Sequence, residues 1–234
     1  RRNIKSIKIQ NSLQGHSINE ENCWDVSQSQ DGRYLAWYEE TVDGKYEVTI
    51  AGEGGVVANT DSSYLFSYIG YDVGDEVTIT GLENLETGLV TKMNGMFSNS
   101  QVKSLNLSNF KTNNVKLMGT DGVNASNVGM FHECTKLEEL DLSNFDTSNV
   151  IGMGGMFRGC SSLKELDLSN FNTSNVISMY AMFSRCTILQ DVKLQSFDTG
   201  NVIYMNSMFN SCKSLKKLNI NNFKTENVKE MQQM

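Results

Sequence analysis

Four cysteines, Cys134, Cys160, Cys186 and Cys212, stand 26 residues apart, and this thiol row is the first place in the chain where metal or redox chemistry could sit. Zinc needs ligands converging tetrahedrally, commonly from close CxxC pairs, whereas a position repeated at one interval forms a line. A disulfide needs two Cβ atoms directed at each other, and stacked copies of one position point in parallel. The row therefore reads as free, packed thiols, with one chance pairing among them left open, and Cys23 as a packed residue standing alone. The only histidines are His16 and His132. His132 takes the slot held by Arg158 and Ser184 in later copies, which predicts a solvent-facing side chain. No HExxH, GxSxG, Walker A or GxGxxG pattern occurs, and GEGG from Gly52 to Gly55 reads as a turn. Glu138-Glu139 and Glu165-Asp167 offer the residue types of a glycosidase dyad, but that chemistry needs two carboxyls across a cleft. On a repeated strand they read as a solvated face. The expectation is no catalysis, no cofactor and no metal.

The elements that position these residues recur with the cysteines. Leu137, Leu163, Leu189 and Leu215 keep the 26-residue step, as do the pairs Met156-Phe157, Met182-Phe183 and Met208-Phe209. A unit this short cannot bury its own apolar face, so copies must stack into a continuous core, the logic of a solenoid. Within Leu163–Cys186, Leu166 and Leu168 alternate with Glu165, Asp167 and Ser169, the two-residue period of a half-buried strand. Val176, Met179, Met182, Phe183 and Cys186 then fall three and four apart, which predicts a short helical or 3-10 return. The Thr column (Thr112, Thr147, Thr173, Thr199, Thr225) and the Asn column (Asn114, Asn149, Asn175, Asn201, Asn227) fall in the bend after the strand. There a side chain can satisfy backbone groups that have lost sheet partners. The Met column at Met153, Met179, Met205 and Met231 reads as core filler.

The unit, LDLSNFDTSNV followed by MxxMFxxC, resembles the leucine-rich repeats of BspA-like bacterial surface proteins. The likeness runs from about Gly81 to Met234, and the upstream stretches CWDVSQSQDGRYLAWYEE and GEGGVVANTDSSYLF resemble the region preceding such arrays. The resemblance implies a right-handed horseshoe-like solenoid, secreted or displayed on a cell surface, used for binding and adhesion without catalysis. The expected fold class is thus α/β: a leucine-rich-repeat right-handed solenoid with a parallel sheet on one face and short helical or 3-10 segments on the other, plus an N-terminal β-rich cap.

Residues 1–45 lack the repeat phase and form the expected cap. IKSIKIQ alternates like a strand, and RYLAWYEETVDGKYEVTI reads as a hairpin turning at Asp43-Gly44. Residues 46–234 form the expected solenoid, degenerate over 46–100 and regular thereafter. Phe110 to Phe145 spans 35 residues instead of 26, which places a nine-residue polar insertion within 119–129. Such a loop is either a binding element or tolerated surface drift.

A net charge of −7 argues against nucleic acid or anionic lipid as the main partner, since both need clustered Lys and Arg. No run approaches the roughly eighteen apolar residues of a spanning helix. The start RRNIKSIKIQ and the end at Met234, in phase with the Met-Phe pairs, read as cuts in a longer exported chain whose anchor lies outside.

Any partner, an extracellular protein or a glycan, is expected first on the outward strand columns. These are Glu139, Glu165, Asp191 and Lys217; Asp141, Asp167, Lys193 and Asn219; and Ser143, Ser169, Gln195 and Asn221. They grade from acidic to basic along the array but lack aromatic anchors, so a merely solvated face, and with it a structural spacer, stays open. A rival surface carries Ile151, Ile177 and Ile203 beside Tyr180 and Tyr204. The apolar edge of the last unit (Leu215, Leu218, Ile220, Phe223, Val228, Met231) is expected to be exposed or to meet a neighbouring copy end to end.

Overall fold

Alternating apolar residues in IKSIKIQ place Ile7 and Ile9 on one buried side of a strand, β1 (Ile4–Gln10), and this strand organises the N-terminal sheet. The computed structural model describes residues 1–74, 76–122 and 128–234. β2 (Cys23–Asp25), β3 (Tyr34–Glu40) and β4 (Tyr46–Gly52) are antiparallel neighbours, with the β3–β4 hairpin turning through Gly44 at φ 73°. β1 pairs in parallel with β4 on one side and with β6 (Thr78–Thr80) on the other, giving the order β2-β3-β4-β1-β6. The 45/46 boundary therefore falls in the turn between two paired strands. One face of the sheet carries Ile7, Ile9, Val48 and Ile50 onto the repeat core, while Cys23, Leu35, Trp37 and Ala51 form a small second core with Leu13. His16 stacks on Trp37 with ring centroids 4.0 Å apart.

The expected α/β leucine-rich-repeat solenoid is not the fold of this chain. The molecule is nearly all β, about 1% helical, and among the described residues the single helical element is a 3-10 turn at Leu82–Asn84. In place of one long parallel sheet there are, among the described residues, three two-stranded parallel sheets besides the N-terminal one. They are β5 (Val56–Val57) with β7 (Leu85–Glu86), β8 (Ser104–Asn106) with β9 (Glu139–Asp141), and β10 (Glu165–Asp167) with β11 (Asp191–Lys193).

The physical reason lies in the return segments. Their spacings of three and four come from consecutive β-turns. Gly155, Ala181, Ser207 and Gln233 have φ between 50° and 67°, and Glu133, Gly159, Arg185 and Ser211 between 54° and 78°. A left-handed residue every fourth position is incompatible with an α-helix. Amides then alternate in direction. Met156, Arg158 and Cys160 close i→i+3 turns onto Met153, Gly155 and Phe157, while Gly155, Phe157 and Gly159 donate to the carbonyls of Tyr180, Met182 and Ser184 at 2.7, 2.9 and 2.8 Å.

Neighbouring units are thus held in parallel, 26 residues apart in the regular part of the chain. Leu166 lies opposite Val192, and isolated bridges run Asp61–Lys92–Leu117–Gly152–Ser178–Tyr204–Glu230. Inside, Phe97, Phe131, Phe157, Phe183 and Phe209 stack with centroids 5.4 to 5.7 Å apart and planes within 6°. Met153, Met179 and Met205 are fully buried beside them, whereas Met231 is 48% exposed. The Thr and Asn columns have the scaffold role read from sequence. Thr147 Oγ1 donates to Asn172 O at 2.9 Å, and Asn175 Nδ2 donates back to Ser148 O at 2.7 Å.

Residues 123–127, the middle of the expected insertion, lie outside the described residues. Its flank is anchored: Thr120 and Gly154 exchange backbone bonds at 3.0 Å, and Ser178 Oγ donates to Gly122 O. In the last unit Leu218 and Met231 are exposed and Leu215, Ile220, Phe223 and Val228 half-buried, the uncovered edge expected from sequence. Among the described residues no helix is long and apolar enough to cross a membrane.

Candidate binding face

Alternation in β9, β10 and β11 turns one set of side chains into the core and the other outward. Glu139, Ser143, Glu165, Asp167, Ser169, Asp191, Lys193 and Gln195 are exposed, and Asp141 is half-buried. Lys217, Asn219 and Asn221 are also exposed, but their segment is not a strand. The structure therefore brings nine of the twelve predicted residues onto strands or their ends and continues the row past the last strand in irregular chain.

Part of this surface is committed to the scaffold. Asp141 and Asp167 accept the amides of Ser143 and Ser169 at 2.9 and 3.0 Å, closing the turn that ends each strand. Those amide bonds hold Asp141 below the ordinary carboxylate range. Lys193 Nζ lies 2.6 Å from Asp167 Oδ2 and, with the Ser169 contacts, lowers Asp167 to about 2. Glu165 faces Asp191 directly in the β10–β11 register, a like-charge pair that is intrinsically unfavourable. Glu139, Glu165, Asp191 and Lys217 are the charges on this face without such a structural bond among the described residues.

Each row thiol is directed at a backbone carbonyl one unit back: Cys134 to Phe97, Cys160 to Phe131, Cys186 to Phe157 and Cys212 to Phe183, at 3.0 to 3.1 Å. All five cysteines are free. Burial pushes Cys134 up to about 12 and Cys212 to about 11, and Cys160 and Cys186 further still. Such thiols are poor nucleophiles and poor metal ligands.

His132 corrects the solvent-facing expectation. It is half-buried, its slot in the next units being filled by half-buried Arg158 and buried Ser184. Desolvation lowers its pKa, Arg158 and Arg185 add to that, and Glu133 opposes them. Glu133 lies over Gly159, where a Cβ would meet its carboxyl carbon at 2.5 Å, and its Oε1 is 3.8 Å from Arg185 Nη1. The rival surface is half-buried at Ile151, Ile177, Ile203, Tyr180 and Tyr204, with Asn175, Asn201 and Asn227 alternating with the isoleucines along a shallow furrow.

Sequence reasoning missed a groove of about 800 Å³ between the N-terminal sheet and the first unit, lined among others by Val26, Tyr34, Ile50, Val57, Asp61 and Leu89. Its signal in the sequence was β1, whose alternation shows a strand but not its partners.

Residues 65–127 and 125–234 match the family model described as "Mycoplasma protein of unknown function, DUF285". The chain belongs to the DUF285 family. The match begins inside the first unit and takes in every later one, so the DUF285 region is the repeat array, and the five-stranded sheet lies largely before it. No curated protein and no solved structure matches the chain.

Proposed function

We propose that this DUF285 chain is a non-catalytic interaction or adhesion module at a cell surface, meeting an extracellular protein or glycan through its strand face. The observation that carries the reading is the exposed set Glu139, Glu165, Asp191 and Lys217, the first three on strands backed by the buried Thr147, Thr173 and Thr199, and all four free of structural bonds among the described residues. Charges left unspent on a rigid support favour complementary partners and steer their approach. The likeness of LDLSNFDTSNV and MxxMFxxC to the repeats of BspA-like surface proteins supports the same placement.

The test is retention of the 234-residue chain on glycan and extracellular-protein arrays, compared with a Glu139→Lys/Glu165→Lys/Lys217→Glu variant of unchanged melting temperature. A binding face predicts at least tenfold weaker retention of the variant. Equal retention would make the array a spacer that carries another surface outward.

A further inference from the structure

The groove beside the first unit has one wall that is an unpaired backbone edge. Among the described residues of the bridge column, Lys92, Leu117, Gly152, Ser178 and Tyr204 are each bridged on both sides, whereas Asp61 is bridged only to Lys92. β5 likewise pairs with β7 alone. In the second unit the carbonyls of Lys92, Asn94 and Met96 accept the amides of Ser62, Tyr64 and Phe66 at 3.0, 3.0 and 2.7 Å. Their counterparts one unit back are the carbonyls of Asp61, Ser63 and Leu65. These receive no amide from the described residues, and all three residues line the groove.

The vacancy follows from topology. β1 sits between β4, which opens the first unit, and β6, which opens the second, so β4 lies one strand further along the sheet, while β5 still stacks directly on β7. The segment running from β2 to Tyr34 forms the opposite wall. Apolar side chains are left open here: Val26 is 40% exposed, Val57 39% and Leu89 61%. The Arg1 guanidinium closes the far end by donating to Tyr64 O at 2.6 Å and Ser67 Oγ at 2.8 Å.

We propose that this edge takes a segment of a partner polypeptide as an additional parallel rung, with its amides on the carbonyls of Asp61, Ser63 and Leu65 and its small apolar side chains against Val26, Val57 and Leu89. Acceptors on alternate residues call for donors on alternate residues, which a peptide backbone supplies and a sugar chain does not. Edge addition of this kind takes affinity from main-chain bonds and specificity from the alternate side chains. An unblocked edge is otherwise a liability that proteins cover. The volume lies within the range of about 300–1,000 Å³ typical of ligand sites. The site is separate from the strand face and does not depend on it.

The second unit already makes these contacts with the third: Met93 and Phe97 donate to Leu117 O and Met130 O at 2.8 and 2.9 Å. A fluorescein-labelled synthetic peptide of Leu85–Phe97 is therefore the probe, read by anisotropy on the 234-residue chain. Saturable binding is expected, at least tenfold weaker when the peptide is N-methylated at Met93 and Phe97. It should also weaken at least tenfold in the Val57→Lys chain and in Leu89→Lys, whose exposed position leaves folding intact, and should be unchanged in the strand-face triple variant. No binding, or equal binding of the N-methylated peptide, overturns the proposal. Sedimentation showing a dimer that Val57→Lys separates would give the edge to a second copy instead, and oligosaccharide binding lost in Val57→Lys would give it to carbohydrate; either overturns it.

Discussion

Thr173 and Asp198 share two hydrogen bonds: Thr173 Oγ1 donates to the Asp198 carbonyl at 2.9 Å and accepts the Asp198 amide at 2.8 Å. One buried hydroxyl thereby satisfies both backbone groups of the neighbouring unit where the strand has ended. Leaving a buried donor or acceptor unmade costs about 1–3 kcal/mol. Thr173→Val is expected to destabilise the chain by about 2–3 kcal/mol in urea titration. Thr173→Ser, which keeps the hydroxyl, should lose less than half of that. Equal losses would mean that the methyl group, not the two bonds, matters.

Ser211 has φ 64° on an exposed turn. Glycine tolerates this conformation and β-branched residues resist it. Ser211→Gly is expected to raise stability by up to about 1 kcal/mol and Ser211→Val to lower it. In a helix, glycine would instead lower stability by about 0.5–1 kcal/mol. The sign of the Ser211→Gly change by thermal melting separates the two structures.

The meeting of like residues at a 26-residue interval was legible in the sequence, whereas the α/β solenoid drawn from it is not the fold. The 26-residue phase marks which residues meet, because side chains repeated at one interval must contact their own copies, as Phe157 meets Phe183. Asp43-Gly44 marked the hairpin through the need for positive φ. The return segments were misread because spacings of three and four are shared by helices and by linked turns. Only the left-handed positions tell them apart, and these are occupied by Ala181, Arg185 and Ser207 as well as by glycine. The outward strand columns were legible from alternation, but the groove was not. It arises from β1 pairing with strands more than thirty residues away in sequence, and alternation alone cannot name such partners.

Asp167 is held at about 2, against 3.8 when unperturbed, mainly by Lys193. A carboxylate whose folded pKa is depressed contributes stability above its unfolded pKa and loses it as pH falls. The contribution is therefore expected in full at pH 6 and should fade between about pH 4 and pH 2. Because the pair is exposed, it is worth under about 1 kcal/mol and shrinks with salt. Asp167→Asn should flatten the acid limb of stability against pH over that window. An unchanged limb contradicts the pairing.

Thiol accessibility follows the burial gradient of the row. Cys134, Cys160 and Cys186 are buried and Cys212 is less so. In a disulfide-exchange titration of the native chain at pH 8, Cys212 should react first and the four buried thiols, Cys23 among them, only on unfolding, when all five titrate. Rapid native reaction of Cys160 would contradict its packing against Phe131 O.

The central claim is that the return segments are linked turns whose alternate amides reach the next unit. Trans-hydrogen-bond scalar couplings in the isotope-labelled chain test it most directly. A coupling between the Phe157 amide nitrogen and the Met182 carbonyl carbon is predicted. A coupling from Phe157 to Met153, four residues back as in a helix, would contradict it.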